Sequence, residues 1–161
     1  MGTRWSMSKD VLKTIEAAFG DTAPPAPDEL CATSGDEAFE DAEPFQGRHW
    51  RSMDPDVLEA HRDVLFWFTP EAFHYYLPSF LKAGLEQPGA VFVINLLQLL
   101  RPPDDRTLAA FRRRRWSRLS VEQGKALDDW LSWLMGQAKP GGILEGEIKQ
   151  AQQAVRDRYW W

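Results

Sequence analysis

The segment Gly89-Ala-Val-Phe-Val-Ile-Asn-Leu-Leu-Gln-Leu-Leu100 decides the fold class. Its first half, Val91 to Ile94, has the β-branched and aromatic makeup of a buried strand. Its second half, with Leu96, Leu97, Leu99 and Leu100, suits a buried helix. A strand needs a partner, and no second convincing strand pattern occurs in the chain. An unpaired strand is marginal, so the segment is expected to be a helix and the chain all-α. It is also far shorter than the roughly 20 apolar residues that span a bilayer.

Upstream, Thr69-Pro70-Glu71 is a helix start: a side-chain cap, a proline at the first helical position, and an acid where the helix dipole favours it. Phe73, Tyr76, Leu77, Phe80 and Gly84 follow on one face. Pro78 falls inside this helix and offers no N–H to the carbonyl of His74, so a kink is expected. Asp54-Pro55 gives the same start signal, and its helix should turn Val57, Leu58, His61 and Leu65 inward. A first helix is expected from Ser8, as cap, to Phe19, with Gly20 as its stop. Pro24, Pro25 and Pro27 stiffen the connector that follows. A weaker helix over 35–43 has Phe39 as its one large anchor.

Downstream, Pro102-Pro103 interrupts the chain, and Asp104 or Asp105 opens a helix through Arg115. Ser120-Val-Glu-Gln123 is a capping box, followed by the stripe Leu127, Trp130, Leu131 and Leu134. A last helix should run from Ile143 to Tyr159, with Leu144, Ile148, Ala151, Val155 and Tyr159 inward. The expectation is an all-α single domain over residues 1–161, of about six helices around an aromatic-rich core. An acidic, proline-containing connector occupies about residues 20–47.

Composition agrees. The chain has 161 residues, within the usual size of one domain. It is 43% hydrophobic and 27% charged, with eight tryptophans and nine phenylalanines, which is globular rather than disordered usage. Cys31 is the single cysteine, so no internal disulfide points to an oxidising compartment, and it reads as an inert thiol. Met1 to Lys13 lacks the apolar region of a signal peptide. The expected location is cytoplasmic, with no membrane segment.

Four stretches carry a resemblance: Phe45-Gln-Gly-Arg-His-Trp50, Leu65-Phe-Trp-Phe-Thr-Pro-Glu-Ala-Phe-His-Tyr-Tyr-Leu-Pro78, Trp116-Ser-Arg-Leu-Ser-Val-Glu-Gln123 and Tyr159-Trp160. Together they resemble a family of small bacterial proteins of unknown function, over roughly Ser8 to Trp160, with the Thr69–Pro78 segment as the specific part. The resemblance implies a bacterial, intracellular, single-domain protein. It brings no activity, ligand or catalytic residue to any position of this chain. The run Arg112 to Arg115 and the doubled Trp160-Trp161 look particular to this member.

Motifs for chemistry are sparse. His49, His61 and His74 lie far apart in sequence, without the short spacings of metal sites, so neither a metal nor another cofactor is expected. His61 suits a hydrogen-bonded histidine at a core edge. No nucleophile elbow or phosphate-cradling glycine loop is present, and no catalytic residue is assigned. The chain leans away from an enzyme.

Charge is the stronger hint. The net charge is −5, and no Lys or Arg lies between Lys13 and Arg48, a stretch holding Glu16, Asp21, Asp28, Glu29, Asp36, Glu37, Glu40, Asp41 and Glu43. It is either a solvated surface or a docking surface for a basic protein partner, carried by Asp36, Glu37, Glu40 and Asp41. An immunity- or antitoxin-like protein covering a basic toxin has this charge pattern. Trp160 and Trp161 offer a second contact, or else a tail folded back onto the core.

The alternative is a small-molecule-binding protein or enzyme, with a pocket around His49, Trp50, His74 and Tyr75. A kinked core helix explains the same residues. Nucleic acid is disfavoured. Successive helical residues rotate by about 100°, so Arg112 to Arg115 splay, and pairing with the protein's own acidic front fits them better.

Overall fold

Val91–Leu100 is a helix, and the described residues contain no strand, only an isolated bridge between Cys31 and Phe68. The structure, a computed structural model, describes residues 4–31, 36–103, 105–139 and 141–160. Burial explains why β-formers became helical here: Phe92, Val93, Asn95, Leu96, Leu97, Leu99 and Leu100 are all buried. The helix start is held from outside, because Glu59 accepts from the backbone N–H groups of Val91 (2.8 Å) and Phe92 (3.1 Å). A carboxylate at that end satisfies orphan donors and meets the positive pole of the dipole.

Among the described residues the helices are α1 (Arg4–Phe19), α2 (Asp36–Ala42), α3 (Pro55–Ala60), α4 (Val64–Trp67), α5 (Pro70–Glu86), α6 (Val91–Leu100), α7 (Arg106–Trp116), α8 (Val121–Gln137) and α9 (Ile143–Arg156). Short 3-10 turns lie at Pro27–Glu29, Glu43–Phe45 and Trp50–Ser52. The expectation of about six helices is too low. The stretch opened by Asp54 breaks at His61, which caps α3 rather than continuing inward, and restarts as α4. Ser8 lies inside α1 rather than at its start. The last helix stops at Arg156, leaving Tyr159 exposed.

The start signals at Asp54, Thr69, Asp105 and Ser120 operate as read. Each side chain accepts from a first-turn N–H, and Gln123 completes the capping box at Ser120. Such a cap is worth about 1 kcal/mol.

α5 is central, touching α1, α3, α6, α7 and α8. It is buried on more than the predicted face, with Ala72, Tyr75, Pro78, Ser79, Leu81 and Ala83 also enclosed. The helix runs through Pro78 to Glu86.

Four fully buried tryptophans organise the core, and each indole N–H donates to a backbone carbonyl: Trp50 to Gly20, Trp116 to Leu99, Trp130 to Leu81 and Trp160 to Leu100. Three of these acceptors lie at helix ends. At the end of α6, Arg112 donates to Gln98 and Arg101, while Trp116 and Trp160 take Leu99 and Leu100. The carbonyls that a helix C-terminus leaves orphaned are thus met by side chains of α7 and the C-terminal turn.

Candidate functional site

The four residues proposed to line a pocket meet the end of α1 one carbonyl or ring at a time. His74 packs on the Phe19 ring, Trp50 donates to the Gly20 carbonyl, His49 bonds Asp21 at 2.5 Å, and Tyr75 donates to the Thr22 carbonyl. Gln123 joins them by donating to the Ala18 carbonyl at 3.2 Å. That leaves the Gln123 oxygen as acceptor, so the His74 Nε2, 2.8 Å away, carries the proton. Gly20 has φ +67°, the left-handed turn that glycine tolerates at a helix end. Residues 18–22 are therefore clasped from three elements. His49 stacks on Trp50 and meets Tyr75 edge-on, and burial raises the Tyr75 phenol above its ordinary pKa.

None of the four lines any of five clefts found on the surface of the described residues. The most apolar of these is a groove of about 380 Å³ between α6, α8 and α9, walled by Val93, Leu97, Leu134, Leu144 and Ile148. Its polar lining side chains are Gln137 and Lys139. His49, His61 and His74 stay apart, bonded to Asp21, Asp41 and Gln123 respectively. No group of three or more His, Cys, Asp or Glu among the described residues is placed to hold a metal ion.

The arginine run divides by helical position. Arg112, Arg115 and Trp116 turn inward: the first and last cap α6, and Arg115 donates to the Phe68 carbonyl at 2.6 Å, where α4 ends. Arg115 is 2% exposed, and burial lowers its pKa to about 10. Arg113 and Arg114 face solvent. The expected pairing of this run with the acidic segment does not occur among the described residues; its inward members bind carbonyls of α4 and α6 instead.

On the acidic segment Asp21, Asp28, Glu29, Glu40 and Glu43 are exposed. Asp21 bonds His49 and lies 3.7 Å from Arg51, and the partly buried Asp41 bonds His61 at 3.3 Å, tying α2 to the end of α3. Asp41 is thus a tether rather than an open contact. The side chains of Asp36 and Glu37 lie outside the described residues, as does Trp161. Trp160 is 0% exposed and belongs to the core, which overturns it as a surface contact. The Cys31 thiol, pushed up first by burial and then by Asp41, donates to the Ala38 carbonyl at 3.3 Å.

Phe39 was the residue read wrongly. It is 57% exposed, while Ala38 and Ala42, four apart, hold α2 against α4. Small residues at that spacing with carboxylates around them were the available signal. Phe39, Glu40 and Glu43 are all exposed on this stretch.

These helices close on one aromatic core, and no helix among the described residues is long and apolar enough to cross a membrane. They define an all-helical protein. The chain belongs to the Family of unknown function (DUF6714), whose model matches residues 7–161. No curated protein and no solved structure matches it.

Proposed function

We propose that this chain is a non-catalytic protein-binding member of its family, and that Phe39 and Glu40 of α2, with Glu43 of the turn after it, receive a basic surface of a protein partner. The observation that carries this is the exposed Phe39 ring inside the longest stretch of the chain without Lys or Arg. Exposed aromatics are favoured anchors at interfaces. A rim of one sign selects a partner of the other and speeds its approach. The bacterial, cytoplasmic setting belongs to the same proposal, supported by the family resemblance and by the single unpaired cysteine. An immunity- or antitoxin-like role fits this charge pattern.

The test is affinity capture at low salt from the cell of origin, with the wild type beside a Phe39→Ser, Glu40→Gln, Glu43→Gln variant. The three positions are exposed, so the fold is expected to survive. The proposal expects a protein that offers a basic surface to be retained by the wild type, released by salt and absent with the variant. Equal retention by both would contradict it.

A further inference from the structure

The outward side of α7 complements the α2 face, and we infer that the basic surface received at Phe39 is α7 of a second copy of this chain. The inference rests on the function proposed above and adds the identity of the partner.

α7 contains no acidic residue. Its inward positions are taken up by the carbonyls of Gln98, Leu99, Arg101 and Phe68, which leaves Leu108, Phe111, Arg113 and Arg114 at the surface. Phe111 is 44% exposed, and the buried Arg115 guanidinium lies 3.9 Å from its centroid. One side of the ring is thus fixed by a cation–π contact and the rest is presented outward. Arg113 reaches the ring and carbonyl of Tyr159, and Arg114 makes no ion pair among the described residues. One surface therefore offers an aromatic with arginines, the other an aromatic with carboxylates.

The connector that leads to α2 and the helix α7 are also held at one turn. Thr69 holds the acidic connector, its N–H donating to the Leu30 carbonyl and its hydroxyl to that of Glu29. The preceding residue, Phe68, holds α7 through Arg115 at 2.6 Å. A two-fold axis near this turn sets α2 of each copy against α7 of the other, giving two equal contacts in a closed dimer. Nucleic acid fits less well. Only Arg113 and Arg114 of the run point outward, and the neighbouring acidic face repels phosphate.

Sedimentation of the full chain tests this. The wild type should form a dimer at low salt that dissociates as salt screens the contact. Glu40→Lys with Glu43→Lys, and separately Arg113→Glu with Arg114→Glu, should each be monomeric with unchanged helical circular dichroism. Mixed in equal amounts, the two variants should recover the dimer, because both contacts are again of opposite sign. A wild type monomeric at low salt, or a mixture that stays monomeric, overturns the inference. Capture of a different basic protein through Phe39 in that case leaves the proposed function standing, so the two failures are told apart.

Discussion

The Gly84–Trp130 contact shows how little room a single position leaves. A Cβ at residue 84 would lie 2.8 Å from Cζ2 of Trp130, and that ring cannot slide because its N–H is fixed on the Leu81 carbonyl at 2.9 Å. Gly→Ala inside a helix gains up to about 1 kcal/mol of propensity, whereas overpacking a core costs about 1–3 kcal/mol. The clash should win, and Gly84→Ala is predicted to lower the unfolding free energy in a urea titration. Tyr76 is a second such position. It is fully buried, and its one hydroxyl proton lies between the carbonyls of Phe45 (2.6 Å) and Arg48 (2.8 Å). Burial, and then Tyr75, raise its pKa well above the ordinary 10.0. A phenol held neutral by the fold contributes stability fully below that ordinary value and loses it as pH rises past it. Tyr76→Phe should therefore cost about 1–3 kcal/mol near neutrality. The gap between wild type and variant should shrink in unfolding titrations above pH 10; a constant gap would refute the assignment.

At the scale of elements, helix ends matter as much as helix faces. Gln123 is the clearest case: its oxygen accepts from the Ser120 N–H (2.9 Å) and from His74 (2.8 Å), and its amide donates to the Ala18 carbonyl (3.2 Å). It caps α8 while binding α5 and the end of α1. Ser120→Ala removes only the other half of the box and should cost about 1 kcal/mol. Gln123→Ala should cost about twice that, because three hydrogen bonds go at about 0.5–1.5 kcal/mol each. Equal effects of the two substitutions in thermal unfolding would show that the links to α1 and α5 contribute nothing. The caps at Asp54, Thr69, Asp105 and Ser120 were legible because they act within four residues. The C-terminal caps were not. Trp116 and Trp160 on α6, or Trp50 on Gly20, act across 17, 60 and 30 residues, and no local pattern announces them. Residues 49, 50, 74 and 75 were read as a pocket lining, whereas the structure sets them on the carbonyl row after α1, a target that sequence spacing does not mark.

For the molecule as a whole, the all-α class followed from one absence, the lack of any partner for Val91–Ile94. The charge division was equally plain. What the sequence concealed was orientation. Phe39 pointed inward on hydrophobicity alone, but Ala38 and Ala42 make the closer packing surface and turn the ring out. Trp160 read equally well as a contact or as core, and only the open carbonyl of Leu100 decides it. With Trp160 internal and Asp41 tied to His61, the proposed binding face rests on the exposed Phe39 and Glu40 of α2 and on Glu43 of the turn after it. The most direct test places a photo-activatable cross-linking side chain at residue 39 in the cell of origin, with the same group at the exposed Ser132 as control. A discrete adduct to one polypeptide, mapped to a basic surface and formed from position 39 and not from 132, is the predicted result. The same diffuse pattern from both positions would contradict the account.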